Sequence, residues 1–313
     1  RFNVSQVRRV DVEDLLGRDE IKLDNSGLNK FLNNKIVLVT GAGGSIGAEL
    51  CRQVIRFNPK TLVCLDISEF ALYSLEQSFI NQKIKTKLIY VVADIRNEER
   101  INKIIERFSP ATVFHAAAYK HVPLMETENV SEALLNNSLG TYVLAKICKK
   151  YNVKKFVLVS TDKAINPTNI MGASKRLAEI LCNKLQQKNG TKFITVRFGN
   201  VLGSSGSVIP LFKKQIAKGG PITVTDPKIT RYFMAITEAA QLVLQAGLIG
   251  EGEDIFVLEM GNPIRILDLA KDMINLSGFQ EGEIEIQFTG LRKGEKLYEE
   301  LLADDEKTKP TSH

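Results

Sequence analysis

The chain of 313 residues carries 42 lysine and arginine residues against 36 aspartate and glutamate residues, a net charge of +6. Hydrophobic residues make up 44% of the chain and charged residues 25%, enough for one large α/β unit or two domains around a cleft. So small a charge excess argues against a nucleic-acid partner and suits an anionic small substrate or a nearby acidic membrane. Every apolar run is shorter than the roughly 18 residues that a membrane-spanning helix requires.

The chain has four cysteines whose spacing is unlike that of metal-binding sites: Cys51, Cys64, Cys148 and Cys182. Each lies in an apolar stretch, which predicts buried thiols in a reducing compartment and neither a metal site nor a disulfide framework. Because the chain begins at Arg1 and not at methionine, we expect a fragment of a longer protein, with a membrane anchor upstream as one option.

The first 34 residues are polar and mixed in charge, with a short amphipathic piece at 12–16. We expect residues 1–34 to be an arm or linker packed on the main domain. The apolar run at 35–40 then predicts a buried strand, which leads directly into a glycine-rich turn and a helix that extends to about residue 57.

The glycine-rich turn has the spacing of a dinucleotide-binding motif. Gly41 allows a tight turn, Gly44 lets backbone N–H groups approach a pyrophosphate, and Gly47 lets helix and strand pack closely. Ser45 and Ile46 begin the helix, whose N-terminus carries the partial positive charge that favours a phosphate. The alternative is an ordinary junction between a strand and a helix.

Two acids stand at the ends of the next two predicted strands. Asp66 ends the second strand, where a carboxylate accepts hydrogen bonds from the adenosine ribose and repels a 2′-phosphate. The sequence therefore predicts NAD in preference to NADP. Asp94 follows the third strand and is placed to meet the adenine amino group. For both acids, a helix cap is the alternative.

Strands and helices alternate as far as about residue 200. The further strands are predicted at 61–66, 87–92, 112–115, 157–160 and 195–198, and the helices between them at 69–82, 97–108 and 129–150. This alternation predicts an α/β fold with a doubly wound parallel sheet, whose ligand lies at the carboxyl ends of the strands. We expect a NAD-binding Rossmann domain at 35–200.

The segment after the fourth strand predicts a flat surface and a cleft edge. Ala116 and Ala117 are small, as expected where the backbone lies against a cofactor. Lys120 and His121 follow at the edge of the cleft. For His121 we consider a general base, a helix cap and a substrate contact.

Beyond residue 200 the alternation degrades into loop signals, short strands and helices. The strands are predicted at 223–225, 255–258 and 283–287, and the helices at 207–218, 237–248 and 265–276. We expect this region, 201–313, to form a smaller lid that binds the substrate. Arg231, Arg265 and Arg292 are available for phosphate, and an ordinary surface arginine is the alternative for each. The basic cluster around Gly294 suits a diphosphate wrapped by backbone.

The fifth strand ends in a hydroxyl, an acid and a base, Thr161, Asp162 and Lys163. A helix follows in which Lys175 stands one turn beyond Met171. A strand-end hydroxyl followed by Tyr-x-x-x-Lys is a known catalytic arrangement, but Met171 occupies the tyrosine position and its thioether carries no proton. The alternative is a polar strand end with a helix-capping acid.

These motifs resemble the extended short-chain dehydrogenase/reductases. More narrowly, they resemble the nucleotide-sugar 4,6-dehydratases, above all the bacterial UDP-N-acetylglucosamine 4,6-dehydratases that open UDP-bacillosamine and related pathways. The segments that carry the resemblance are 40–47, 114–126, 160–179, 197–210, 230–234 and 291–301. With Met171 at the tyrosine position, the sequence resembles the branch of these enzymes that retains the configuration at C5. Members of that branch are typically membrane-anchored, with a cytoplasmic catalytic domain.

The resemblance implies a lyase that uses NAD and a UDP-sugar. It implies that Asp162 is the acid at C6 and Lys163 the base at C5, that Thr161 binds the 4-hydroxyl, and that Lys175 holds the nicotinamide ribose. Lys163 would then have to be partly uncharged, which burial and the like charge of Lys175 favour. The substrate contacts that it implies are Lys120, His121, Asn200, Ser207, Arg231, Arg292 and Glu295.

Three other functions stay open. An inverting 4,6-dehydratase would also epimerise C5, a UDP-sugar 4-epimerase would conserve the mass of its substrate, and a NAD-binding regulator would have no turnover. The retained hydroxyl, acid and base argue against the regulator. From the resemblance we also expect a homo-oligomer, a part in bacterial glycan or glycoprotein sugar synthesis, and a cytoplasmic catalytic domain of an inner-membrane protein.

Overall fold

A computed structural model describes residues 21–280, 282–303 and 308–311 of the chain. The strands are β1 Ile36–Thr40, β2 Thr61–Asp66, β3 Lys87–Val92, β4 Thr112–His115, β5 Lys155–Val159, β6 Lys192–Arg197, β7 Asn200–Val201, β8 Ile222–Val224, β9 Thr230–Arg231, β10 Phe233–Met234, β11 Ile255–Val257, β12 Ile264–Arg265 and β13 Ile286–Phe288. The helices are α1 Asn25–Leu32, α2 Ser45–Ile55, α3 Glu69–Phe79, α4 Glu98–Phe108, α5 Val122–Met125, α6 Val130–Ala133, α7 Thr141–Lys150, α8 Ile170–Leu185, α9 Val208–Ala217, α10 Ile236–Ile249 and α11 Ile266–Leu276.

A seven-stranded parallel sheet organises the fold, with the strand order β11-β6-β5-β4-β1-β2-β3. The chain runs outward from β1 to β2 and β3, and then crosses back to β4 on the other side of β1. Ligands of such sheets bind where the strand order reverses, outside the carboxyl ends of the strands. The crevice between β1 and β4 is therefore the expected ligand site, and the predicted doubly wound α/β fold is confirmed.

Helices cover both faces of the sheet because its strands carry near-continuous apolar runs, as expected for strands buried on both sides. One core contains residues of α1, α2, α3 and α10 together with inward residues of the sheet. The core on the other face contains residues of α4, α7 and α8. A third apolar cluster lies within the C-terminal region, between α9, α11 and the short strands β8 and β13.

The C-terminal region is not purely a lid, which corrects the predicted boundary at residue 200. The strand expected at 255–258 was assigned to the lid, but β11 pairs in parallel with β6 and extends the main sheet. Residues of α10 also belong to the core on one face of that sheet. Residues of α10 and β11, which follow the first part of the C-terminal region, thus belong to the domain of the main sheet.

Two other elements refine the predictions. Part of the expected N-terminal arm is α1, whose Leu28 and Leu32 are buried in the core, whereas the amphipathic piece at 12–16 lies outside the described residues. The single helix expected at 129–150 is α6, a π-helix at Leu134–Gly140 and α7 in succession. Within the described chain no helix combines the length and the apolar character needed to span a bilayer.

The π-helix turns Asn137 toward the cleft edge. Its side-chain carbonyl accepts a hydrogen bond from the Tyr119 N–H at 2.8 Å, and its amide donates to the Tyr119 carbonyl at 2.9 Å. Since π-turns are rare and recur at functional sites, this turn is consistent with a segment built to fix the loop after β4.

Candidate active site

The glycine-rich turn is held in a geometry that side chains would disturb. Gly41 has a positive φ of 65°, and a Cβ there would lie 2.6 Å from the Ala117 nitrogen. A Cβ on Gly47 would collide with the carbonyl oxygen of Gly41, so glycine lets α2 begin directly against the turn. Gly44 caps α2 without a side-chain hydrogen bond, which leaves the N–H groups at the start of the helix facing open space.

Asp66 closes the same turn from β2. Its Oδ2 accepts a hydrogen bond from the Gly43 N–H at 2.9 Å, and its Oδ1 accepts one from the Ser68 N–H at 2.9 Å. The cap of α3 is Ser68, whose hydroxyl accepts from the Ala71 N–H. The alternative of Asp66 as a helix cap is therefore wrong.

Asp94 is paired with a cation that the sequence analysis did not consider. Arg96 Nη2 lies 2.8 Å from Asp94 Oδ2, and its Nε donates to both carboxylate oxygens. These hydrogen bonds hold the pKa of Asp94 below its usual value. The next helix, α4, is capped by Asn97, so Asp94 is not its cap.

Two adjoining cavities meet at the glycine-rich turn. The larger, of about 510 Å³, lies over the carboxyl ends of β1, β4 and β5 and extends to the lid. The smaller, of about 280 Å³, contains Asp66 and Asp94. Gly43, Gly44 and Ala116 line both cavities. Together they form one cleft, with one compartment on each side of the turn. We refer to both compartments together as the cleft.

The hydroxyl, acid and base at the end of β5 form one hydrogen-bonded group. Thr161 Oγ1 donates to Asp162 Oδ1 at 2.9 Å, and Lys163 Nζ lies 2.9 Å from the same oxygen. Thr161 also accepts from the Lys163 N–H and so caps the short 3₁₀ turn Asp162–Ala164. The alternative of a polar strand end with a capping acid assigned this cap to the wrong residue, because the hydroxyl and not the acid provides it.

The accessible members of this group are Thr161 and Lys163, which line the cleft. The Asp162 side chain is 0% exposed, and its Oδ2 is buried without a hydrogen-bond partner in the described chain. A Cβ on Gly199, at the cleft wall, would lie 3.2 Å from that oxygen. The free oxygen of the acid thus lies directly behind Gly199, a residue of the cleft wall that has no side chain.

The protonation of Lys163 differs from the expectation. Burial alone would lower the pKa of Lys163, but the charges of Asp162 and Glu299 and the hydrogen bond to Asp162 outweigh it and raise this pKa above its usual value. The cation that opposes this rise is Arg231, and not Lys175 as expected. In the ligand-free protein Lys163 is therefore an ammonium group paired with Asp162.

Met171 and Lys175 lie on one face of α8 and line the cleft opposite Thr161. Met171 is packed in a small apolar cluster with Met125 and Ala133. Its thioether has no proton to exchange with a substrate. Lys175 Nζ donates to the Val159 carbonyl at 2.8 Å. Burial lowers the pKa of Lys175 to about 8.

A buried network behind the strand end was missed by the sequence analysis. Ser160 Oγ donates to Glu179 Oε1 at 2.6 Å, and the Arg197 guanidinium donates to both oxygens of Glu179 at 3.0 and 2.8 Å. Glu179 stands four residues after Lys175, on the same face of α8. This spacing in the sequence could have indicated Glu179, because it places the carboxylate on the face of α8 that packs beneath the end of β5.

Glu299 was also missed, and no spacing could have revealed it. Its Oε1 lies 3.6 Å from Lys163 Nζ and 3.8 Å from Arg231 Nε, and 4% of its side chain is exposed. The residue lies far along the chain from Lys163, in an irregular segment after β13. Only the fold brings the two together.

Four predicted substrate contacts lie around the larger compartment of the cleft: Lys120, His121, Asn200 and Ser207. Lys163 Nζ lies 3.5 Å from Asn200 Oδ1, and Lys120 Nζ lies 3.4 Å from Ser204 Oγ. Burial, then the charges of Lys120 and Arg292, lower the pKa of His121. His121 precedes α5 without a side-chain capping bond, so a capping side chain is excluded for it.

The other three predicted contacts form an ion-pair cluster in the lid. Glu295 bridges the two arginines, with its Oε1 3.4 Å from Arg231 Nη2 and 3.3 Å from Arg292 Nη2. Arg231 is largely buried and donates to the backbone carbonyls of Thr230, Leu297 and Lys296. Arg292 keeps 58% of its side chain exposed. Of the two arginines, Arg292 is the one with donors free for a ligand.

The strand order, the glycine-rich turn and the hydroxyl, acid and base after β5 define an extended short-chain dehydrogenase/reductase, as the resemblance implied. Within that class the chain belongs to the family described as Polysaccharide biosynthesis protein, which matches residues 37–313.

Three similar proteins illustrate the relationship. The capsular polysaccharide biosynthesis protein CapD of Staphylococcus aureus is 53% identical over 97% of this chain and 51% of its own length. A UDP-glucose 4-epimerase of Rickettsia canadensis is 34% identical over 88% of this chain and 80% of its own. The structure of Pen from Bacillus thuringiensis superposes with a TM-score of 0.82 and 38% identity, over 88% of this chain and 84% of Pen. The chain thus spans about half the length of CapD.

Proposed function

We propose that the protein is a NAD-dependent 4,6-dehydratase of UDP-N-acetylglucosamine that retains the configuration at C5. The observation that carries this proposal is the group of Thr161, Asp162 and Lys163 at the end of β5, opposite an apolar Met171. A 4-epimerase needs one proton acceptor at the 4-hydroxyl. A 4,6-dehydratase needs in addition an acid at C6 and a base at C5, and the strand end provides both.

NAD fits the two compartments of the cleft. The adenosine half would lie between Asp66 and Asp94 in the compartment that Ala117 lines, and the pyrophosphate over the start of α2 at Ser45 and Ile46. The nicotinamide half would lie in the larger compartment, against Ala116. Lys175 would hold the nicotinamide ribose through its ammonium group. The Asp66 carboxylate favours NAD over NADP because a 2′-phosphate would face a like charge. When bound, NAD supplies the hydride acceptor for C4 and the hydride donor for C6.

The 4-hydroxyl proton has a path in spite of the missing tyrosine. The sugar hydroxyl donates to Thr161 Oγ1, and Thr161 already donates to Asp162 Oδ1 at 2.9 Å. Loss of the proton from O4 therefore protonates Asp162 through the threonine. This relay turns the carboxylate of the resting ion pair into the acid that the next step needs.

Elimination follows from the new ketone, which acidifies the C5 hydrogen. Lys163 first releases its ammonium proton to solvent, since the protonated Asp162 no longer holds that charge. The free amine then takes the C5 hydrogen as a proton, the electron pair forms the C5–C6 double bond, and Asp162 protonates the leaving 6-hydroxyl to give water. Lys163 then returns its proton to C5 from the same face, which accounts for retention. The resting pair of Asp162 carboxylate and Lys163 ammonium is restored once that lysine regains a proton.

The proposal is tested by incubating the purified protein with UDP-N-acetylglucosamine and analysing the product by mass spectrometry and NMR. A 4,6-dehydratase gives a product one water lighter, with a 4-ketone and a C6 methyl group. The similarity to UDP-glucose 4-epimerases favours a 4-epimerase as second candidate. A product of unchanged mass and inverted C4 would identify the epimerase, and inversion at C5 the inverting dehydratase.

Arg292 should bind the diphosphate of the substrate. Arg292→Ala should raise the KM for the UDP-sugar and change kcat little, because the diphosphate is bound equally in the ground and transition states. A lost charged hydrogen bond of about 1.5–3 kcal/mol corresponds to roughly 10- to 150-fold in KM. Steady-state kinetics measure both constants.

The matched control is Arg107→Ala. Arg107 is an exposed arginine in the last turn of α4. That turn leads into the amino end of β4, whereas the cleft lies at the carboxyl ends of the strands. The Arg107→Ala variant should therefore leave the KM for the UDP-sugar unchanged. Equal effects of the two variants would show that Arg292 acts only through the net charge of the protein.

The four cysteines are free and buried, which suits a reducing compartment, and so we assign the catalytic domain to the cytoplasm. A membrane anchor outside this sequence, a homo-oligomer and a part in bacterial glycan or glycoprotein sugar synthesis remain predictions of the resemblance.

A further inference from the structure

Glu299 is an ionisable group beside the reacting side chains to which the proposed reaction gives no role. Its side chain is 4% exposed, and its Oε2 is buried without a hydrogen-bond partner in the described chain. Burial of a carboxyl group with an unsatisfied oxygen costs free energy, so the stability of the fold does not by itself account for a glutamate at position 299.

Glu299 lies next to Lys163, behind the residues that line the cleft. Lys163 Nζ lies between two carboxyl groups, 2.9 Å from Asp162 Oδ1 and 3.6 Å from Glu299 Oε1. Of these three residues, Lys163 is the one that lines the cleft. Lys163 is therefore the member of this group through which Glu299 reaches the cleft directly.

Among the described residues, four charged side chains shift the pKa of Glu299. Burial and Asp162 raise the pKa of Glu299, while Lys163, Arg231 and Lys296 lower it. Lys296 is itself paired with Glu300 at 2.7 Å, and Arg231 is held by backbone carbonyls and Glu295. In the part of the chain that the structure describes, Lys163 at 3.6 Å is thus the cation closest to Glu299, ahead of Arg231 at 3.8 Å, and it is the one that changes charge in the reaction.

We propose that Glu299 is a positioning residue for the dehydration, which holds Lys163 in the cleft and stabilises the ammonium group that forms when Lys163 takes the C5 proton. The inference rests on the proposed function, because it takes Lys163 as the base at C5.

The need for a second carboxylate follows from the proton count. Once Asp162 has received the 4-hydroxyl proton through Thr161, it is neutral and no longer balances a charge on Lys163. The C5 proton then moves to Lys163 Nζ as the C6–O bond breaks, and positive charge develops on a side chain that is 16% exposed. Glu299, 3.6 Å away, supplies the negative charge that this transition state lacks.

Glu299→Gln keeps the shape of the side chain and removes its charge. At pH values where Lys163 is a free amine in both proteins, kcat should fall about 10- to 100-fold, the effect of one lost charged interaction. The pH at which kcat reaches half its plateau should move to lower pH, because the loss of one anion makes the Lys163 ammonium easier to deprotonate. A merely structural defect would lower kcat without this shift.

Two further variants calibrate the result. Glu295→Gln removes another carboxylate next to Arg231, and it should raise KM while leaving the pH midpoint of kcat in place. Glu299→Asp keeps the charge one methylene further from Lys163, so it should give a smaller shift in the same direction. This variant also serves if Glu299→Gln does not fold.

A measurement without sugar separates this inference from the proposed function. The NAD-bound protein is labelled with acetic anhydride over a range of pH, and the acetylation of Lys163 is followed by peptide mass spectrometry. Lys163 should become reactive at lower pH in Glu299→Gln than in the unmodified protein. This shift together with no dehydrated product would refute the dehydratase and support the charge coupling. Dehydration with unshifted labelling and an unshifted kcat profile in Glu299→Gln would overturn the role of Glu299.

Discussion

Lys163→Met should slow dehydration of the UDP-sugar by about 10²- to 10⁴-fold, because it removes the base that takes the C5 hydrogen. Methionine approximates the length of the lysine stem, so packing in the cleft is kept while the amine is lost. The Asp162 carboxylate, 2.9 Å away in the unmodified protein, would lose its partner but keep the Thr161 hydrogen bond. The rate of product formation under saturating substrate measures this effect.

Asp162→Asn should slow the overall reaction by a similar factor for a different reason. Asparagine cannot protonate the leaving 6-hydroxyl, but it leaves the Lys163 amine in place. Asp162 is the largest of the charges that raise the pKa of Lys163, so its loss makes the free amine more available at neutral pH. In this variant the 4-hydroxyl proton has to leave to water, since asparagine cannot accept it from Thr161. C4 oxidation and C5 proton removal should therefore continue, more slowly, although the 6-hydroxyl is not expelled.

Solvent isotope exchange distinguishes the two variants. In deuterated water, Asp162→Asn should introduce deuterium at C5 of the recovered substrate, and Lys163→Met should not. Met171→Tyr, added to either variant, should not restore turnover, because a tyrosine there would act at the 4-hydroxyl. Exchange in Lys163→Met but not in Asp162→Asn would reverse the two roles, and normal turnover of both would remove the pair from the mechanism.

The sequence predicted those features of the site that depend on neighbours along the chain. Gly41, Gly44 and Gly47 belong to one turn, and Thr161, Asp162 and Lys163 are consecutive, so their types and order already imply phosphate and proton chemistry. Local patterns also indicated the alternating strands of the sheet. The sequence could not place β11, because a strand of three residues shows little periodicity and its partner β6 is decided by packing.

The features that escaped prediction depend on contacts between distant segments. The pKa of Lys163 was expected to be low from burial and from Lys175, but Glu299, brought in from the C-terminal region, helps to reverse its direction. Arg231 looked like a phosphate ligand until the structure showed its donors bound to backbone carbonyls. The sign of an electrostatic effect depends on distances that a single sequence does not contain.

The ion pair beneath the strand end should be essential to the fold that positions Thr161. Arg197 is 1% exposed, and its guanidinium donates to both oxygens of Glu179, which also accepts from Ser160, the residue before Thr161. Arg197→Met would leave the Glu179 carboxylate buried and poorly compensated. We expect it to lower the free energy of unfolding by about 3–5 kcal/mol, measured by urea denaturation.

Arg176→Met is the matched control, since Arg176 pairs with the same carboxylate at 3.0 Å but keeps 38% of its side chain exposed. A partly exposed pair contributes little, so this variant should cost no more than about 1 kcal/mol. Adding Glu179→Met to Arg197→Met should recover much of the stability, because it removes the buried carboxylate that the single variant leaves behind. Equal losses for Arg176→Met and Arg197→Met, with no recovery in the double variant, would show that burial of this pair does not determine the stability of the strand end.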